Sequence, residues 1–436
     1  MKKLSKYTQI LVNEENSFLF HLATENVLTL TQELAHIVLE HKDNIEELEN
    51  IHPDLYTCML QSEMIVPEEL DEAQALFDLW KAQNEDPSFF GMIINPTLDC
   101  NLRCWYCYEK HDVHAGMSPE TIESVCRLID HKVADERLQR LSVSFFGGEP
   151  LMYYKKVVAP ILRYAVEACK ERGIALSSNL TTNAVLLTDE VLHELNHIGL
   201  SVLPGFQITL DGNRELHDQT RYAAKKKPTY DTIVRSIKSA LKAGNKVSVR
   251  FNYTDNNIES FIDVMEEFRD LTAEQIQHVT FRFEQVWQNS NQKTKERAIE
   301  IAKLFERNGF PAEYDTLYAR HNCYADSMNN VVINYNGDVF KCTARDFKAD
   351  RREGILNNEG MIIWNERYKA RMDIRYNNTA CRICNILPLC NGGCSQNKLD
   401  NPVTDSCYKK MNDPNKLNIV LERLKQLLTY SVCHRN

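Results

Sequence analysis

From residue 90 onward, short apolar runs alternate with longer amphipathic stretches. The runs at 90–96, 141–146, 174–178, 206–210, 246–252 and 278–284 read as strands. The stretches near 118–133, 154–171, 188–197, 229–243, 257–269 and 293–309 repeat at helical spacing. Strands alternating with helices predict a parallel sheet, either doubly wound or closed toward a barrel. Ser118 suits a helix cap and Pro119 the first helical position. Gly173 and Gly309 fall where helices end, a place that favours a left-handed backbone.

The flanking pattern is different. Tyr7 to Asn13 and Ser17 to His21 read as strands around the polar Glu14-Glu15-Asn16. A helix is predicted from Thr29 to His41, with Leu30, Leu34, Ile37 and Val38 on one stripe. Asp54 to Met59 and Asp71 to Lys81 read as further helices, and Met64 to Pro67 as a short strand. Beyond the alternating region, Val331 to Tyr335 and Asp338 to Phe340 predict a hairpin turning at Asn336-Gly337. After Pro414, Leu417, Val420, Leu421, Leu424 and Leu427 mark a terminal packing helix. The expected division is 1–85, an α+β cap; 86–312, the alternating unit; 313–412, a cysteine-rich unit; and 413–436, a helix.

Composition narrows the class. With 436 residues, 43% of them hydrophobic, the chain can bury a large core. A formal charge of -10 argues against nucleic acid or an anionic membrane as a partner. No apolar run reaches membrane-spanning length, and the start Met1-Lys2-Lys3-Leu4-Ser5 lacks a secretory leader's apolar core. The expectation is a cytoplasmic protein. Its 14 cysteines then point to metal sites in preference to disulfides, with an isolated Cys58 read as buried. Cys126 and Cys169 read as ordinary buried residues of helices.

The chemistry centres on Cys100-Asn-Leu-Arg-Cys104-Trp-Tyr-Cys107, just after the first strand. Three thiolates at this spacing fit a four-iron cube with one iron left for another ligand. A structural zinc loop completed from elsewhere is the alternative. Phe146-Gly147-Gly148-Glu149-Pro150 follows the second strand, where paired glycines permit close backbone approach. Ser178 to Asn183 form a polar loop after the third strand. Thr209-Leu210-Asp211-Gly212 and Arg221 follow the fourth. Alternation puts Arg250 and Asn252 on one face of the fifth strand, and Arg282 and Glu284 on one face of the sixth. Each is either part of a binding cavity or a satisfied polar patch.

These motifs together resemble the radical S-adenosylmethionine (SAM) enzymes. The resemblance implies an α/β fold, a partial (β/α)6 TIM-like barrel with a small N-terminal α+β module. It makes Cys100, Cys104 and Cys107 the catalytic cluster's ligands, with SAM on the fourth iron. Reductive cleavage of SAM then gives a 5′-deoxyadenosyl radical. By resemblance, Gly147, Gly148 and Glu149 bind the methionine amino group and Arg221 its carboxylate. Tyr106, Ser178, Asn183, Arg250 and Asn252 are the remaining SAM candidates.

The carboxyl-terminal cysteines resemble the SPASM domain of ribosomal-peptide (RiPP) maturases. That resemblance assigns Cys381, Cys384, Cys390 and Cys407 to a distal four-iron cluster. It assigns Cys323, Cys342 and Cys394 to a proximal one, giving three clusters in all. Some relatives add a proximal ligand where this chain has Leu317. The open iron then takes substrate, or a water or local group such as Asp315, Tyr318 or His321. Two zinc sites remain the chemical alternative.

The expected activity is hydrogen abstraction from a ribosomally made precursor peptide, forming a thioether, carbon–carbon or related intrapeptide crosslink. The 1–85 module either recognises a leader peptide along a strand edge or is only a cap. A low-potential flavodoxin or ferredoxin is the expected electron donor. The alternatives are oxidation of a Ser or Cys side chain, as in sulfatase-maturing relatives, or a non-enzymatic metal-cluster peptide binder. Sulfatase-maturing relatives carry an aspartate directly after the cysteine equivalent to Cys342, where this chain has Thr343.

Overall fold

The computed structural model describes residues 1–12, 16–109, 116–314 and 323–433, apart from the side chains of 429–433. Asp315, Leu317, Tyr318, His321, Asn13, and Glu14 and Glu15 of the expected turn lie outside them. The described residues form two compact units. One holds 86–314 and 328–369; the other holds 1–85, 323–327 and 370–433. Neither unit is continuous along the chain.

Alternation explains the larger unit. In Val247–Tyr253 and Val279–Gln285, Val247, Val249 and Phe251 pair in register with Val279, Phe281 and Phe283. All six are buried, and the phenylalanines pack on Phe261 and Phe305 of the covering helices. The intervening Ser248, Arg250 and Asn252 face the other side, which can therefore be polar. The six barrel strands are parallel, in the spatial order Val279–Gln285, Val247–Tyr253, Gly205–Leu210, Asn179–Thr182, Arg140–Phe145, Phe89–Ile94. Five of these strands lie within a few residues of their expected bounds, while Asn179–Thr182 falls just beyond the expected 174–178. Ser118 caps Pro119–Val133 by accepting from Thr121 N, and Gly173 ends Ala159–Arg172 in the left-handed region.

Several expectations need correction. The third strand is broken at Ser178 into Ala175–Ser177 and Asn179–Thr182. The barrel sheet also does not stop at six strands. Ala312–Tyr314 adds in parallel at one edge, and Asn330–Ile333 pairs in parallel with Phe89–Ile94 at the other. The hairpin expected in a separate cysteine-rich domain thus extends the barrel sheet. It continues antiparallel through Asp338–Phe340, Gly354–Leu356 and Ile362–Trp364.

In the smaller unit, Thr8–Val12 and Ser17–His21 pair as expected, but Val27–Leu30 is a third strand. Thr29 and Leu30 therefore belong to that strand, and the helix begins at Gln32 with Thr31 as cap. Lys2–Leu4, unread from the sequence, pairs with Ile65–Pro67. Cys58 is exposed, because Leu55, Tyr56 and Met59 define the buried face of Pro53–Gln61. Cys126 is half-buried, and Cys169 is buried as expected. The terminal helix Asp413–Cys433 buries Ile419, Val420 and Leu424 against Phe20, Trp80 and Leu387. Among the described residues no helix is long and apolar enough to cross a membrane.

Candidate active site

The cysteine loop leaves the first barrel strand after Asn95, which is fully buried. Leu102 plugs the loop into the protein at 1% exposure, and Arg103 N donates to Tyr222 O at 3.1 Å. The Gly147–Gly148 turn lies against the stem of this loop. Gly148 N donates to Thr97 O at 3.1 Å and Glu149 N to Asp99 O at 2.9 Å. A Cβ on Gly148 would run into the Asp99 carbonyl, and Gly147 needs φ +104°. The glycine pair is therefore required by close approach of two backbones, the one carrying the cysteines and the one carrying Glu149.

Cys100, Cys104 and Cys107 are free thiols on one cavity, and the charge of Cys104 acts on both of its neighbours. Burial pushes Cys100 up to about 12 and Cys107 up to about 11, and raises Cys104 as well. Metal binding here must release those protons, and the cation supplies what the buried surroundings withhold. Among the described residues no three His, Cys, Asp or Glu side chains converge on a single ion. The thiolates of a four-iron cube attach to different irons, so that geometry bears on a one-ion site and not on a cube. Three soft thiolates in one loop suit three irons of such a cube and leave the fourth for another ligand.

The cavity is also lined by Tyr106, Gly147, Gly148, Asn183, Arg221, Arg250 and Asn252. Seven of the nine SAM candidates are thus brought together. Of the other two, Glu149 lies beneath the cavity. Its carboxylate, expected to receive an ammonium, accepts from Leu151 N at 3.0 Å, Thr182 Oγ1 at 2.7 Å and Asn183 N at 2.7 Å. In the structure it ties the glycine turn to the next loop. Burial raises its pKa, while these three donors oppose the rise. Ser178, also buried, sits at the strand break, three residues before the first cavity residue of that strand, Thr181.

Arg221 Nη1 donates to Tyr106 Oη at 2.8 Å and lies 3.7 Å from Asp211 Oδ2. Tyr106 Oη donates to Asp211 at 2.5 Å and accepts from Asn252 Nδ2 at 3.0 Å. Arg250 Nε donates to Asn252 Oδ1 at 2.8 Å, and Asn183 Nδ2 to Asn101 Oδ1 at 2.7 Å. Arg221 Nε and Asp211 Oδ1 are buried without a hydrogen-bond partner among the described residues. They are polar atoms that a bound zwitterion could satisfy. Arg282 and Glu284, by contrast, pair with each other at 2.5 Å and do not line the cavity.

Sequence reasoning singled out the stretch holding Asp211 without giving Asp211 a role, and gave none to His217 or Glu109. Asp211 ends the fourth barrel strand, a position that marks functional residues in barrels. His217 accepts from Asp211 N through Nδ1 at 3.3 Å, so its Nε2 carries the proton toward Thr229 Oγ1. Burial lowers its pKa well below the usual value. Glu109 lines the cavity, and burial pushes its carboxyl up to about 8. Nothing in its sequence context marks it.

In the smaller unit Cys381, Cys384, Cys390 and Cys407 are free thiols close enough for their charges to interact. Cys323 and Cys394 belong to the same unit and Cys342 to the larger one. Their grouping as one set rests on the sequence pattern.

A polar cavity thus lies over three thiols at the C-terminal ends of parallel barrel strands. Residues 94–268 match the Radical SAM superfamily. The matched segment carries the three thiols of the cysteine loop and the Gly147–Gly148 turn. The chain is 24% identical to the radical SAM cyclopropyl synthase TigE of Paramaledivibacter caminithermalis, over 90% of this chain and 89% of that one. It is 24% identical to a serine-type anaerobic sulfatase-maturating enzyme of Bacteroides thetaiotaomicron, over 69% of this chain and 80% of that one. Among solved structures, the fold is similar to anSMEcpe with bound AdoMet and Cp18Cys peptide (TM-score 0.58, 16% identity, 78% of this chain and 99% of that one). It is also similar to Streptococcus suis SuiB bound to S-adenosylmethionine (TM-score 0.51, 16% identity, 93% of this chain and 100% of that one).

Proposed function

We propose that this chain is a radical SAM enzyme that matures a ribosomally made peptide by closing an intrapeptide thioether, carbon–carbon or related crosslink. The state of the acids near Cys342 carries the choice of crosslinking over oxidation of one Ser or Cys side chain. Thr343 follows Cys342. Asp338 is buried and paired with Arg352 at 3.0 Å, while Asp346 is held by Lys348 at 2.8 Å and Arg351 at 2.9 Å. Both carboxylates are thus engaged in ion pairs. The relative named as a cyclopropyl synthase also aligns over more of this chain than the sulfatase-maturating one.

Cys100, Cys104 and Cys107 hold the SAM-binding cluster in this reading. Bound there, cluster and cofactor supply a 5′-deoxyadenosyl radical able to take a hydrogen atom from an unactivated carbon. Tyr106, the Gly147–Gly148 backbone, Asn183, Arg221, Arg250 and Asn252 orient the cofactor, with Ser178 and Glu149 supporting their loops. The cavity walls keep water from the reacting atoms. Cys381, Cys384, Cys390 and Cys407, and separately Cys323, Cys342 and Cys394, hold two auxiliary clusters. The 1–85 segment receives the peptide's leader, and a flavodoxin or ferredoxin supplies electrons. The division 1–85, 86–312, 313–412 and 413–436 describes the same chain by role.

The test incubates anaerobically reconstituted enzyme, SAM and dithionite with the short peptide encoded beside its gene. Tandem mass spectrometry should show loss of two hydrogens and suppressed fragmentation between two linked residues. A hydrazide-reactive aldehyde at a single Ser or Cys would instead support side-chain oxidation, the reading that the sulfatase-maturating relatives favour.

A further inference from the structure

Outside the SAM cavity, the smaller unit buries a second cation beside thiols. Lys398 lies on the short helix Ser395–Asp400, which follows Cys394, and is 1% exposed. Its Nζ has no hydrogen-bond partner among the described residues. That amino group sits against the Cys390-Asn-Gly-Gly-Cys394 turn, where a Cβ built on Gly392 would meet it at 3.6 Å. Its charge also acts on Cys381. A lysine this buried without a counterion is costly unless something anionic completes it. The nearby Arg375 shows the contrast: it is equally buried, yet Asp326 lies 3.5 Å away and Trp80 stacks 4.2 Å beneath it.

We propose that Lys398 is a positioning residue for the distal cluster, its side chain providing the buried positive charge that sets that cluster's reduction potential. The inference rests on the assignment of Cys381, Cys384, Cys390 and Cys407 to a four-iron cube. Four thiolates make such a cube a net anion, and reduction adds one more negative charge. A fixed cation in a low-dielectric pocket stabilises the reduced form more than the oxidised form and so raises the potential. Lys409 also acts on the set, through Cys390, but it is exposed and its effect is screened by water.

The experiment is an EPR-monitored redox titration of the reconstituted holoenzyme, with iron and sulfide measured on each sample. The distal signal is the one lost in Cys390→Ala. In Lys398→Met, the ratio of reduced to oxidised distal cluster at a fixed potential should fall about tenfold, a midpoint about 59 mV lower for a one-electron couple. Lys398→Gln, which keeps a polar group, is the second neutral variant and should fall likewise. Lys398→Arg should restore most of the shift, and Lys409→Gln should move it far less. A wild-type midpoint in either neutral variant with full iron content overturns the role of Lys398. If wild-type enzyme has no signal that Cys390→Ala removes, the cluster assignment itself fails, and this inference fails with it.

Discussion

Gly148 carries more of the site than its size suggests. Its hydrogen atom faces the Asp99 carbonyl, so a methyl group there must push the cysteine loop away from the glycine turn. Gly148→Ala should therefore lose cluster loading before it loses fold. Iron per chain should fall by about four, with helix content by circular dichroism largely retained. Full loading would show that the loop tolerates the displacement. His217 gives a pH-dependent counterpart. Its folded-state pKa is depressed by burial first and by Arg221 second. Below the ordinary value of 6.5 the unfolded chain binds a proton that the folded chain refuses, so the neutral histidine's contribution is present above that pH and lost as pH falls. The stability difference between wild type and His217→Gln, from urea unfolding, should thus shrink or reverse between pH 7.5 and 5.5. Growth of that difference on acidification would contradict the neutral assignment.

At the scale of elements, Glu149 joins two loops at the ends of neighbouring strands. Glu149→Ala strands two backbone donors and the Thr182 hydroxyl in a buried place, and should cost about 3 kcal/mol in denaturant unfolding. Glu149→Gln keeps one oxygen and should cost less. Equal, small losses in both would mean that the bridge is dispensable. The barrel strands and helices were legible because their apolar period changes between two and 3.6 with each element. The hairpin at Asn330–Ile333 was legible as a hairpin, but its parallel pairing with Phe89–Ile94 was not. That partner lies more than two hundred residues upstream, and no local pattern encodes the match. Val27–Leu30 was missed because Thr29 and Leu30 also continue the stripe of the following helix.

Across the whole molecule, the Cys100, Cys104 and Cys107 motif was readable because close spacing in one loop brings three thiols onto one cavity. The cavity residue Glu109 was not, since a buried acid and a surface acid look alike in sequence. Lys398 was hidden for the same reason: lysine is the residue least expected to be enclosed. Burial raises the thiols of Cys100, Cys104 and Cys107 and encloses the cations Arg221 and Lys398. In the proposed function Cys100, Cys104 and Cys107 leave one iron for SAM. The measurement closest to that claim is 5′-deoxyadenosine formed by anaerobically reconstituted enzyme with SAM and dithionite. Wild type should form it only with reductant, and Cys104→Ala should form none. Fully loaded wild-type enzyme that binds no SAM and forms no 5′-deoxyadenosine would contradict the account.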